Sequence, residues 1–157
     1  MNRLPGGDFF SFFWYNSSMK KKDTEISLDF VSNIKLTEFC VLVFSYLKNV
    51  LKIGDNDFFK IEISLREVIN NAILHGNKSN PHKRVYVKFR WNKSRLLICI
   101  KDENDEKVDF DEIGKKLQSN DVLSFSGRGI ILMKSYMDKV EFKSSEKGTE
   151  IVMVKYL

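Results

Sequence analysis

DFFKIEISLREVINNAILHG, from Asp57 to Gly76, is the segment on which the architecture turns. At 100° per residue, Ile61, Leu65, Val68 and Ala72 fall within about 60° of one another. Phe58, Ile69 and Ile73 widen that apolar face. The pattern predicts a helix over 57–76, with Asp57 as its cap and Gly76 as the glycine just past its end. Glu67, Asn71 and His75 are spaced i, i+4, i+8. They form one stripe about 80° wide along a border of the apolar face. A carboxylate, an amide and an imidazole are thereby held in line at the edge of the core. Such a set can accept a proton, ligate a hard metal through an amide oxygen and hydrogen-bond a phosphate. Taken alone, it is equally the ordinary polar edge of an amphipathic helix.

Outward from this helix the pattern stays regular. Glu25–Phe30 alternates apolar and polar residues, as a strand does. Leu36, Phe39, Cys40, Val43, Leu47 and Val50 recur at helical spacing, and residues 54–57 read as a turn. On the other side, Asn80-Pro81 marks a loop. Val85, Val87, Phe89 and Trp91 define a strand with one buried face, and Leu96–Lys101 returns beside it as a hairpin. Residues 103–127 read as a long mobile loop holding at most one short helix, a kind of segment that is usually functional. Gly129–Asp138 reads as a helix. Val140–Lys143 and Thr149–Tyr156 form a last hairpin around Glu146-Lys147-Gly148. The order β-α-α-β-β-loop-α-β-β predicts an α+β two-layer sandwich. Its sheet is mostly antiparallel but mixed, covered on one face by about three helices.

Composition limits the function classes. The chain has 157 residues, 43% apolar and 30% charged, enough for one domain with a closed core. Disorder of the whole chain and a multidomain enzyme are both excluded. Cys40 and Cys99 sit in apolar runs and read as reduced core thiols of a cytoplasmic protein. Two Cys and two His do not make a Cys/His zinc cluster. The net charge of +5 is spread among interleaved acids, and Lys20-Lys21-Lys22 is the only run of three basic residues. This is a solvated surface rather than a nucleic-acid footprint. No stretch reaches the roughly 18–20 apolar residues of a membrane span.

Residues 1–23 are set apart as an N-terminal extension from a domain over 24–157. The cluster Phe9-Phe10-Ser11-Phe12-Phe13-Trp14-Tyr15 is its main feature. Three readings stay open: an upstream extension with Met19 as the true start, a segment docked on the body or a second subunit, and a membrane-surface contact.

Three further features carry chemistry. Asp102 ends the strand Ile98-Cys99-Ile100-Lys101, where a carboxylate is also an ordinary turn residue. Ser126-Gly127-Arg128-Gly129-Ile130 opens a helix with glycines that let backbone N–H groups approach a phosphate, though a flexible turn reads the same way. Gly148-Thr149 enters the last strand. No Gly-x-x-x-x-Gly-Lys-Ser/Thr occurs, so a P-loop is excluded.

In this order the four features resemble the histidine-kinase-like ATPases (GHKL, Bergerat fold), and among them the anti-sigma-factor serine/threonine kinases. The resemblance covers roughly residues 24–157. Glu67-Val-Ile-Asn-Asn71-Ala72-Ile-Leu-His75-Gly76-Asn77 looks like the family's N box, and its His75 favours the anti-sigma branch over sensor kinases. Residues 126–142 look like the second glycine box with its helix and strand, and Gly148-Thr149-Glu150 like the third box. The resemblance implies ATP and Mg²⁺ as cofactors. It implies Glu67 as general base, Asn71 as Mg²⁺ ligand and Asp102 as acceptor from the adenine amino group. Gly127, Arg128 and Gly129 would close over the phosphates, with His75 near them, and Thr149 would support Asp102 and the adenine. Its partners would be a sigma factor or similar regulator and an antagonist protein with an acceptor serine or threonine. No direct nucleic-acid contact is expected, and a homodimer is left open.

The first glycine box departs from the family's Asp-x-Gly-x-Gly-Phe. Asn104 stands at its first glycine and Glu106 at its second, with Phe110 displaced by three residues. Asn104, kept among the nucleotide-binding residues, is expected to tolerate left-handed backbone. Glu106 is expected to bring negative charge toward the nucleotide unless Mg²⁺ or Lys107 offsets it, so that Glu106→Gly would tighten binding. These departures support an alternative: a weakly catalytic or inactive partner-switching module on the same fold.

Overall fold

The computed structural model describes residues 23–111 and 125–157. The aromatic cluster at 9–15, and most of the expected loop, lie outside the described residues. Five strands form one sheet: β1 (Thr24–Val31), β2 (Arg84–Trp91), β3 (Arg95–Lys101), β4 (Lys139–Ser145) and β5 (Gly148–Tyr156). Their order across the sheet is β1-β2-β3-β5-β4, and every pairing is antiparallel. The mixed character expected of the sheet survives only as connectivity. β3 and β4 run in the same direction, joined through a helix, but β5 lies between them and bonds to both.

Alternation along the strands decides what is buried. Ile26, Leu28 and Phe30 of β1, Val85, Val87 and Phe89 of β2, and Leu96, Ile98 and Ile100 of β3 share one face. Ile151 and Met153 of β5 and Val140 and Phe142 of β4 continue it. Among the described residues, three helices cover that face: α1 (Thr37–Leu51), α2 (Asp55–Asn71) and α3 (Phe125–Tyr136). Phe44, stacked on Phe58 at 5.1 Å and near Phe89 at 6.3 Å, ties two helices to the sheet. No helix among the described residues is long and apolar enough to cross a membrane.

One helix face and two helix starts differ from the sequence reading. α1 buries Cys40, Val41, Phe44 and Leu47, while Phe39 and Val50, expected inside, are exposed. The true face is turned by about one residue because α1 packs on α2 as well as on the sheet. α2 starts at Asp55 behind Gly54, so residues 54–57 are its N-terminus rather than a free turn. Asp57 does not cap it. Its carboxylate sits in the first turn, where the helix dipole favours it, 3.4 Å from Lys155. α3 begins four residues before Gly129, at Phe125.

Candidate nucleotide site

α2 ends in a π-helical turn over Ala72–Gly76, closed by the Asn77 N–H on the Ala72 carbonyl at 2.8 Å. Such turns often mark functional positions. Glu67 and Asn71 therefore keep their helical spacing, but His75 sits on a wider turn and is exposed. The Asn71 amide donates to Glu67 Oε1 at 3.1 Å, and both residues are half-buried. The Asn71 amide oxygen takes no hydrogen bond from a described residue, which leaves a neutral oxygen for a cation.

Gly76 is not a left-handed helix terminus, since among the described glycines only Gly148 has positive φ, at 126°. Lys78 and Ser79 take the left-handed backbone instead, at φ 53° and 55°. Gly76 lies so close to Asp102 that a Cβ there would overlap the carboxylate. Gly148 repeats the relation on the other side, where a Cβ would strike the Asp102 carbonyl oxygen. Gly129, inside α3, faces Glu67 in the same way. The glycine in the second box thus makes room for the Glu67 side chain. Gly127 falls in the first turn of that helix, and Arg128 beside it is exposed.

Asp102 is 4% exposed. Its Oδ1 accepts the Thr149 N–H at 2.8 Å and the Asn104 N–H at 3.0 Å, while its own N–H donates to the Thr149 carbonyl at 3.0 Å. Oδ2 takes no hydrogen bond from a described residue. Burial pushes the Asp102 carboxyl above its ordinary range, against the lowering pull of the two N–H groups and of Lys83 and Lys101. A buried carboxylate with one oxygen saturated and the other open suits a neutral N–H donor on a ligand.

The loop after β3 is pinned at several points. Asn77, 1% exposed, donates to the Arg84 carbonyl and accepts the Glu103 N–H, both at 2.8 Å. Glu103 accepts from the Tyr86 hydroxyl and the Arg84 N–H, again at 2.8 Å. Asn104 is buried, but not through left-handed backbone: its side chain accepts the Glu106 N–H at 3.1 Å. Glu106 corrects the sequence expectation more sharply. It is exposed and pairs with Lys78 at 2.5 Å, away from the pocket wall. Lys78, not Lys107, offsets its charge.

These elements enclose a pocket of about 680 Å³, part of it open to solvent. Asn71, His75, Asp102, Asn104 and Thr149 supply its polar groups. Val68, Ala72, Ile100, Ile130, Met133 and Ile151 are among its apolar walls. A largely apolar cleft with few convergent polar groups suits a flat heterocycle. Glu67, Arg128 and Gly129 do not line it; Glu67 joins its edge through Asn71. Glu150 points to the other face, where Cys99 Sγ donates to it at 3.0 Å. No cluster of three metal-binding side chains occurs among the described residues. The Asn71 amide oxygen, whose nitrogen is held by Glu67, is a hard neutral donor of the kind that fits Mg²⁺, which takes few protein ligands beside phosphate oxygens. Gly76, Asn77 and Gly148 stand in the boxes read from the sequence, but their part around Asp102 was not read there. The two glycines were already allowed by helix and hairpin grammar, and Asn77 gave no separate signal.

The fold and pocket define a nucleotide-binding domain of the histidine-kinase type, and residues 36–155 match the histidine kinase-like ATPase domain. The chain belongs to that family, and its curated relatives place it in the anti-sigma branch. It is 33% identical over 136 residues to the anti-sigma F factor of Oceanobacillus iheyensis, covering 85% of this chain and 92% of that protein. It is 34% identical over 100 residues to the anti-sigma F factor of Bacillus cytotoxicus, covering 62% and 68%. A solved chain of the SiaB–SiaC complex from Pseudomonas aeruginosa shares the fold, with a TM-score of 0.57 at 10% identity over 84% of this chain and 89% of that one.

Proposed function

We propose that this protein is an ATP- and Mg²⁺-dependent serine/threonine kinase acting as a cytoplasmic anti-sigma factor. It would hold a sigma factor or similar regulator and phosphorylate an antagonist protein. The observation that carries the reading is Asp102, buried at the pocket with Oδ1 taken by two N–H groups and Oδ2 without a hydrogen bond from a described residue; Oδ2 would accept from an adenine amino group. Thr149 positions it through the backbone. Asn71 would hold Mg²⁺, which supplies charge neutralisation for the polyphosphate. His75, Gly127, Arg128 and Gly129 lie toward the phosphate end in this reading. Glu67 would accept the proton of the attacking hydroxyl, with the γ-phosphoryl passing to that oxygen and ADP leaving. Catalysis of this kind rests on positioning and charge neutralisation. The 24–157 domain carries the whole set, and nucleic acid has no place in it.

A second reading, partner switching with little catalysis, is favoured by one observation. Asn104, where the family has glycine, is a buried lining residue of the pocket. The test is transfer of label from γ-labelled ATP to proteins captured by the immobilised chain, with and without Mg²⁺. Mg²⁺-dependent label on one captured protein supports the kinase. Capture without label, at saturating ATP, leaves the binding module.

A further inference from the structure

The sheet has a second face, turned away from all three helices. Strand register places Lys88 and Arg90 of β2, Leu97, Cys99 and Lys101 of β3, and Glu150, Val152 and Val154 of β5 on it. Leu97, Cys99, Val152 and Val154 form a cluster of their own there and are 0–8% exposed. An uncovered face of this protein looks different: on the outer side of α1, Phe39, Leu42 and Tyr46 are 53%, 68% and 68% exposed. Glu150 is buried as well, and the Lys88 and Arg90 side chains are only 16% and 17% exposed. No described helix accounts for that burial.

Residues 1–22 and 112–124 lie outside the described ones. The second stretch is tethered on the helix side at both ends, by Phe110, packed on Phe142 at 4.8 Å, and by α3. The first enters at Asp23. Its carboxylate meets Asn92 at 3.2 Å and Arg90, a residue of the second face, at 3.3 Å. Seven residues lie between Tyr15 and Asp23, so the eight steps reach up to about 26 Å. β3 lies two strands from β1, about 10 Å away. Between Phe9 and Tyr15 stand six aromatic side chains, each able to bury roughly 150–250 Å². Lys88, Arg90, Lys101 and Lys143 border the apolar patch and suit ring faces through cation–π contact.

We propose that the Phe9–Tyr15 segment docks on this second sheet face, over Leu97, Cys99, Val152 and Val154 of its own chain. It thereby removes from solvent a patch otherwise open to another molecule. The proposal is independent of the kinase reading, because the patch and the nucleotide pocket lie on opposite faces of the sheet.

Cys99 reports on the cover, and Cys40, buried on the helix side, is the internal control. The full-length chain is compared with a full-length Phe12→Ser/Phe13→Ser/Trp14→Ser variant, mapping thiol alkylation under native conditions by mass spectrometry. Docking predicts that Cys99 reacts at least tenfold faster in the variant while Cys40 keeps its rate. An unchanged Cys99 rate overturns the proposal. Should both cysteines accelerate alike, a full-length Trp91→Phe chain decides, since Trp14 is then its only tryptophan. Blue-shifted Trp14 emission, shielded from acrylamide at every protein concentration, supports docking. Solvent-like emission overturns it. So does shielding that appears only where sedimentation shows a dimer, because a second copy then covers the face.

Discussion

Gly76 and Asp102 occupy one space: the carboxylate stands where a Cβ at Gly76 would be. The last turn of α2 and the end of β3 can therefore approach only with glycine at 76. Asp102 is held by Thr149 and Asn104, so it cannot swing aside without breaking two hydrogen bonds. Gly76→Ala is expected to destabilise the fold by about 1–3 kcal/mol, the usual cost of overpacking. Thermal melting checks this. The double variant Gly76→Ala/Asp102→Ala should lose less than the sum of the two single variants; additive losses would mean that the two residues do not compete for space.

The raised carboxyl of Asp102 gives ligand binding a pH signature. The form that accepts from a ligand N–H is the carboxylate, so binding falls as pH drops through the raised value. That fall begins above the ordinary aspartate range. Stability moves oppositely. Because the folded-state value is raised, the contribution of Asp102 to folding is full below the unfolded value and is lost as pH rises through the folded one. Adenine-nucleotide affinity and melting temperature, measured across acidic pH, should diverge. In Asp102→Asn the pH step in affinity should vanish.

Glu67→Gln should lower phosphotransfer by roughly 10²–10⁴-fold while leaving ATP affinity near wild type. Glu67 does not line the pocket but touches Asn71 and faces Gly129. Single-turnover kinetics with labelled ATP separate the two quantities. Equal losses of rate and affinity would make Glu67 a positioning group only.

The two departures in the first glycine box should behave differently. Glu106 sits in an exposed pair with Lys78, where ion pairs carry little weight. Glu106→Gly is therefore expected to change ATP affinity less than threefold, against the tightening that sequence alone suggests. Asn104→Gly, at a buried lining position, should change it more. Calorimetric titration of both variants checks the order.

Much of this was legible because period and burial coincide. Ile61, Leu65, Val68, Ile69, Ala72 and Ile73 are all buried, as their spacing required. Asp102 and Thr149 fell where strand ends predicted them. What escaped reading depends on tertiary contact. Nothing local tells that Gly129 makes room for Glu67, that Lys78 draws Glu106 outward, or that Gly76 serves Asp102 rather than a helix end. The π turn escaped as well, because an i+8 spacing looks the same until one extra residue enters the turn.

In the proposed function, Asp102 is what makes this pocket an adenine-nucleotide site. The decisive measurement is calorimetric titration of the wild type and Asp102→Asn with ATP, with and without Mg²⁺. Saturable binding of one ATP per chain, tightened by Mg²⁺, is expected. Asp102→Asn should weaken it on the order of ten- to a hundredfold, since a charged acceptor is worth about 1.5–3 kcal/mol. No binding at millimolar ATP, or equal affinity in the two proteins, would contradict it.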